Sequence, residues 1–213
     1  VAAGQVQPLA DGQVGEICLA GPHVARQYWG DGEGAMIAHL QVDGVPYIRT
    51  GDLGFRWQRE LYVVGRVKEL IIVGGRNLHP HDLEDTALRT EAGVAACAVG
   101  VEPDLYGQLS HMPAAEQREH VVLLLEVDQR AQPEAWSRAI AAVRAGVADE
   151  HALALDAVWL LKRGSIETTS SGKVRRAAMR ARLAAGDLRP LCCWHAQPGE
   201  ARVEAALAQL AQA

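Results

Sequence analysis

Val121-Val122-Leu123-Leu124-Leu125-Glu126-Val127 is the strongest strand-forming run in the chain. It is nearly continuous in apolar residues rather than alternating, which suits a strand buried on both faces at the centre of a sheet. Toward the C-terminus, residues 134–150 place Trp136, Ile140 and Val143 on one helical face. Val158-Trp159-Leu160-Leu161 reads as a further strand, and residues 175–185 read as a helix that Gly186 ends. Toward the N-terminus, residues 94–101 read as a strand. Before them Pro80 opens a helix, with His79 or a neighbour as its cap and Leu83, Ala87 and Leu88 on one face. Residues 104–120 are polar, contain Pro113 and read as an exposed loop. Interleaved strands and helices over residues 66–190 predict a compact α+β domain.

Residues 1–65 have another texture. Short strands over residues 14–20, 47–50 and 60–65 alternate with glycine-rich turns, the 47–50 strand ending at a Gly51-Asp52 turn. Residues 53–57 are expected to pair with 60–65 as a hairpin, within a small barrel or distorted sheet. Residues 191–213 read as a tail: a linker at 196–200, then an alanine-rich amphipathic helix at 201–210.

The 213 residues carry 49% hydrophobic and 22% charged residues, as in an ordinary globular protein. A net charge of −5 argues against nucleic acid as the main partner. There is no apolar run long enough to span a membrane and no signal-peptide pattern, so a cytoplasmic location is expected. The four cysteines form no CxxC pair; Cys18 and Cys97 are expected to be packed thiols and the set to be reduced. The eight histidines show neither triad nor metal spacing, and no metal site is expected.

Three further stretches bear on chemistry. The first is Tyr47-Ile48-Arg49-Thr50-Gly51-Asp52-Leu53-Gly54. The second is Gly65-Arg66-Val67-Lys68-Glu69-Leu70-Ile71-Ile72-Val73-Gly74-Gly75-Arg76-Asn77, continuing into Leu78-His79-Pro80-His81-Asp82-Leu83-Glu84. The third is Thr168-Thr169-Ser170-Ser171-Gly172-Lys173-Val174-Arg175-Arg176, which sets one lysine on a small-residue loop ahead of a basic helix. A lysine so placed is a point charge suited to phosphate or a developing oxyanion, or else a solvated surface residue. Asp52 on a turn can accept from a vicinal diol or close an Asx-turn on its own backbone.

In this order and at these separations, the stretches resemble the late motifs of adenylate-forming enzymes. Residues 76–84 look most like the fatty acyl-AMP ligase branch. The resemblance spans about residues 14–190 and implies roles. Asp52 and Arg66 contact the nucleotide. Lys68 is a hinge. Gly74, Gly75, Arg76 and Asn77 form the loop that enters the site in a second, thiol-accepting conformation. Lys173 is the catalytic lysine, on a loop shaped by Ser170, Ser171 and Gly172. The sequence departs from the family at Glu167-Thr168, where proline and a basic residue are frequent. That change is expected to loosen the approach to the loop and to bring a negative charge near a phosphate site.

The implied architecture is α+β. Residues 1–65 are the strand-rich end of a large N-terminal adenylation domain, most of which is missing. Residues 66–190 are a small mobile C-terminal domain, and residues 191–213 a linker and helical tail that is either a surface helix or the first helix of a carrier domain. The resemblance implies ATP and Mg²⁺ as cofactors, a fatty acid substrate and the phosphopantetheine thiol of an acyl carrier protein as acceptor. The alternatives are a fragment of an acyl-CoA synthetase and a non-catalytic, free-standing domain that docks a carrier protein. The superfamily's early phosphate loop, acyl tunnel and adenine-stacking motif are not in this sequence, so the chain alone is expected to be inactive. Arg175, Arg176, Arg180 and Arg182 either meet an acidic carrier protein or are a solvated helix face.

Overall fold

The computed structural model describes residues 7–25, 39–110 and 117–196. The chain divides into two compact units, Val1–Lys68 and Glu69–Ala213.

The first unit is a four-stranded antiparallel sheet: β1 (Gly15–Leu19), β2 (His39–Val42), β3 (Val45–Trp57) and β4 (Glu60–Arg66). β3 pairs with all the others: β1 runs along one edge, and β2 and β4 share the opposite one. The β3–β4 hairpin has the expected partners, Trp57 opposite Glu60. The expected chain reversal at Gly51-Asp52 is not there. β3 runs through it with Gly51 at φ 74°, and the register against β1 slips between Glu16 and Cys18. A bulge absorbs the extra residues without turning the chain. Glu16 holds it, accepting from Arg49 Nε (2.8 Å) and Gly51 N (3.2 Å).

The second unit opens with the hairpin β5 (Ile71–Val73) and β6 (Arg76–Leu78), followed by α1 (Pro80–Arg89). Its main sheet has the order β10-β9-β8-β7, from β7 (Ala95–Val101), β8 (His120–Val127), β9 (Ala157–Lys162) and β10 (Cys192–His195). β8 and β9 are parallel, connected through α3 (Pro133–His151); the other pairs are antiparallel. Every residue of β8 is buried. Val121, Leu123, Leu125 and Val127 pack with Leu83 and Ala87 of α1 and Ile140, Val143 and Val147 of α3. Val122 and Leu124 face the other way, toward Tyr106, Met179 and Leu183. The period of two along one strand thus divides the core into two layers. Cys97 lies in the second layer, where burial beside Glu84 pushes its thiol up to about 12.

Two expectations are corrected. The polar stretch after residue 103 is not all loop, because α2 spans Pro103–Ser110. Pro103 starts it, and Leu105, Tyr106 and Leu109 reach the second core layer from one face. The polar residues between them concealed that stripe. The boundary expected at residue 190 also falls short. β10 adds a strand to the edge of β9, Leu191 and Trp194 pack on the core, and Ala196 N–H donates to Asp156 O at 2.8 Å. The predicted tail helix at 201–210 lies outside the described residues.

Asp156, just before β9, is a buried charge with partners on all sides. Arg118 grips both of its oxygens at 3.0 and 2.7 Å, His120 Nδ1 lies 3.1 Å away, and Val121 N–H donates at 2.8 Å. Tyr106 stacks on His120 at 4.1 Å between centroids. Burial alone would raise the carboxyl's pKa. The His120 and Arg118 hydrogen bonds, the Arg118 charge and the backbone donor outweigh it, so the group sits below its ordinary value. In the unfolded chain it returns to about 3.9. The ionised group therefore stabilises the fold fully above about pH 5, and that contribution is lost as pH falls through the lower folded value. In acid titrations followed by circular dichroism, the second unit is expected to lose stability below about pH 4. Asp156→Asn should cost about 3–5 kcal/mol at pH 7, because it breaks the buried Arg118–Asp156 ion pair, and should flatten the acid limb. Wild-type stability of Asp156→Asn at pH 7 would refute this account.

Candidate functional site

The first unit brings two of the candidate residues together. Asp52 on β3 lies opposite Arg66 on β4, and Arg66 Nε donates to Asp52 Oδ1 at 2.8 Å. The Asp52 side chain is 32% exposed and that of Arg66 64%, so both present polar atoms to solvent. Thr50 Oγ1 accepts from Asp52 N at 3.0 Å and donates to Ile17 O at 2.8 Å. Asp52 is thus held by the bulge and by a cross-strand cation, with its second carboxylate oxygen open to a donor such as a diol. The partner of Arg66 is thus Asp52, within the same unit.

Lys68 sits in the 3-10 turn Val67–Glu69 and is the last residue of the first unit. Its side chain is exposed, and it makes no ion pair among the described residues.

Gly74 and Gly75 join β5 to β6 in a two-residue turn, with φ of 57° and 77°. Consecutive left-handed residues match the twist of a tight hairpin and favour glycine. Asn77 pairs with Ile72 across the hairpin and is exposed. Arg76 has a task the sequence did not disclose. Its guanidinium donates to His151 O at 2.6 Å and Ala152 O at 3.0 Å, covering the carbonyl end of α3. Cations are favoured at that end by the helix dipole.

Lys173 lies on a braced hairpin. Thr168 bridges Val174, Thr169 N–H donates to Lys173 O at 2.8 Å, and Gly172 N–H donates to Thr169 O at 2.9 Å. Thr169 Oγ1 accepts from Lys173 N at 3.1 Å and lies 3.0 Å from Ser171 Oγ. Gly172 has φ 81°, a left-handed position that a side chain would strain. Ser170, Ser171, Gly172 and Lys173 are all exposed. Lys173 makes no ion pair among the described residues, although it precedes an arginine-rich helix.

Those arginines are committed elsewhere. On and before α4 (Arg176–Ala184), Arg175 pairs with Glu167 at 3.1 Å, Arg180 with Glu102 at 3.4 Å, and Arg182 with Ser165 O at 3.0 Å and Glu167 at 3.5 Å. Arg176 pairs with Glu69 and Glu84. These arginines are therefore paired within the unit, while the side chains of Arg175 and Arg180 remain exposed. The expectation for Glu167 is corrected as well. Its backbone carbonyl accepts from Arg175 N at 2.9 Å and its carboxylate lies between two arginines, so the approach to the loop is tied rather than loose and the charge is matched. The buried Glu84 was missed in sequence, although it falls on the same helical face as Ala87 and Leu88. A carboxylate within an apolar stripe is the signal that could have exposed it.

Among the described residues no group of three or more His, Cys, Asp or Glu is placed to hold a metal ion. No helix there is long and apolar enough to cross a membrane.

No family model matches the chain. It is 32% identical over 199 residues to the medium-chain-fatty-acid–[acyl-carrier-protein] ligase TtuA of Teredinibacter turnerae, covering 86% of this chain and 29% of that protein. It is 38% identical over 181 residues to the putative fatty-acid–CoA ligase fadD21 of Mycobacterium leprae, covering 78% of this chain and 29% of that protein. Among solved structures it is similar to one from a study of fatty acyl-adenylate ligases of E. coli and L. pneumophila. There the TM-score is 0.60 and the identity 27%, over 85% of this chain and 29% of the other. The chain thus spans 29% of the length of each of these two relatives. Over most of its own length the chain is therefore similar to a portion of the fatty-acid ligases of the adenylate-forming superfamily, in sequence and in fold.

Proposed function

We propose that the chain is the C-terminal portion of a ligase that activates a fatty acid with ATP and passes the acyl group to the thiol of an acyl carrier protein. The observation that carries this reading is the contrast around Lys173. It is an exposed lysine without an ion pair among the described residues, on a hairpin braced by backbone and Thr169 hydrogen bonds, beside Arg175, Arg176, Arg180 and Arg182, which are each ion-paired. A cation held out and kept uncompensated is arranged to meet charge from a substrate.

In the first step a fatty-acid carboxylate oxygen attacks the α-phosphorus of ATP. The new acyl–O–P bond forms as the bond to the β-phosphate oxygen breaks, and pyrophosphate leaves with the electron pair. Lys173 would neutralise charge shared by the carboxylate and the α-phosphate. Asp52 would accept from the ribose hydroxyls, with the Arg66 hydrogen bond fixing the orientation of its carboxylate. In the second step a thiol sulfur attacks the acyl carbon, the bond to AMP breaks, and the thiol proton is lost. The domain from Glu69 onward would turn about Lys68 between the steps, exchanging Lys173 for the turn at Gly74 and Gly75 with Arg76 and Asn77 behind it. Mg²⁺ would enter with the nucleotide phosphates. The described residues supply no cluster that fits the ion, and no step is assigned to it. Because the chain is a portion of such an enzyme, it would not catalyse these steps by itself.

Coenzyme A as acceptor is the second reading. It is favoured by the relative whose name is that of a fatty-acid–CoA ligase.

Two measurements bear on these readings. In the complete enzyme, Lys173→Ala is expected to slow adenylate formation about a hundred- to a thousandfold, with little effect on transfer from a supplied acyl-adenylate. Equal losses in both half-reactions would make Lys173 structural. Acyl transfer to holo-carrier protein and to coenzyme A, compared at matched concentration, is expected to favour the carrier. Faster transfer to coenzyme A would move the enzyme to the synthetase branch.

A further inference from the structure

One guanidinium in the second unit holds carboxylates from two different elements. Arg176, the first residue of α4, donates from Nε to Glu84 Oε1 at 2.9 Å and from Nη2 to Glu84 Oε2. Its Nη1 donates to Glu69 at 2.7 Å. Glu84, on α1, also accepts Ala98 N–H of β7 at 2.9 Å. The side chains are 18% exposed for Arg176, 7% for Glu84 and 31% for Glu69. Burial opposes the Arg176 charge, but the hydrogen bonds and charges of the two glutamates more than restore it. Lysine could not replace this contact, since a single ammonium lacks the planar fork that engages Glu84 twice while reaching Glu69.

The two ends of this contact matter. Glu69 is the first residue of the second unit. Arg176 lies three residues beyond Lys173 and is continuous with the braced hairpin, through the Thr168–Val174 bridge and the bond from Arg175 N–H to Glu167 O. We propose that Arg176 is a positioning residue that joins the first residue of the second unit, α1 and the root of the Lys173 loop into one rigid piece. Backbone rotation between the units is thereby confined to residues before Glu69. Without the Glu69 contact, Glu69 and Leu70 would join the pivot and spread the positions available to Lys173. A misplacement of about 1 Å at a reacting centre can cost about a hundredfold in rate. The inference rests on Lys68 as hinge and Lys173 as catalytic lysine.

Arg176→Ala would leave Glu84 buried beside a lone backbone donor and can fail to fold. Glu69→Ala removes the acceptor, keeps the Glu84–Arg176 fork and is the informative variant, with Arg176→Lys as its companion. Backbone ¹⁵N relaxation of the 213-residue chain reads the rigid piece directly. In the wild type, the amides of Glu69 and Leu70 should be as ordered as those of α1, with order parameters of about 0.85. In Glu69→Ala they should fall toward about 0.6, while α1 and β7 stay unchanged. In Arg176→Lys both this segment and residues 168–174 should loosen. In the complete enzyme, Arg176→Lys should lower kcat for adenylate formation about ten- to a hundredfold with KM for ATP nearly unchanged, because Arg176 is assigned no contact with substrate. Unchanged order at Glu69 and Leu70 in Glu69→Ala would overturn the proposal. So would a loss spread evenly over the second unit, or wild-type order at both ends in Arg176→Lys. A Lys173→Ala enzyme with normal adenylate formation would instead remove the catalytic reading, and the relaxation result would still decide whether the rigid piece exists.

Discussion

Strand β8 has no side facing water, and the second unit is arranged around that constraint. Fully burying a valine or leucine side chain stabilises by about 1.5–3 kcal/mol, but only if both faces of the strand are covered. The chain covers them with α1 and α3 on one face and α2 and α4 on the other. Neighbouring strands on both edges satisfy the backbone: β7 antiparallel and β9 parallel. The parallel pairing requires a crossover, which α3 supplies. Helix number, helix placement and strand order therefore answer to one buried run.

Charges inside such a core need partners, and here each joins elements that are distant in sequence. Asp156 ties the start of β9 to Arg118, His120 and Val121. Glu84 ties α1 to β7 and α4. Glu126, on β8 itself, accepts Ile166 N–H at 2.6 Å and so fixes the chain leaving β9 toward the Lys173 hairpin. A buried carboxylate left unpaired would be costly, so these contacts tolerate few alternative packings. They also explain how a loop of small polar residues can be held in one shape: Ile166, Glu167, Arg175 and Arg176 anchor both of its ends.

Among the basic residues of this region, Lys173 differs in what it lacks. The arginines around it are planar donors that fit carboxylates, and each has found one. The lysine is a compact charge on a flexible stem at the tip of the hairpin. Arg76 shows the converse: exposed and placed in a loop with an expected functional role, it spends its donors on the last carbonyls of α3. Residue type and position on a loop do not by themselves separate a cation that acts from one that holds.

The sequence determined much of this protein where local pattern and burial agree. The run at residues 121–127, the helical stripe from Trp136 to Val143 and the glycine turn after Val73 were legible because each signal lies within a few residues. The α+β class and the kinship with adenylate-forming ligases followed from short stretches with specific spacing. Where local pattern and tertiary partner disagreed, only the structure decided. Polar residues masked α2, whose apolar stripe of Leu105, Tyr106 and Leu109 shows only when packed against the second core layer. Leu191 to His195 looked like a tail because an edge strand needs the exposed edge of β9 to exist. Gly51 reads as a turn in sequence, yet pairing with β1 and β4 carries the strand on through it as a bulge. The partners of Arg76, Arg176 and Glu167 could not be read at all. Ion pairs depend on which side chains the fold brings within about 4 Å, and that distance is set by packing rather than by sequence separation.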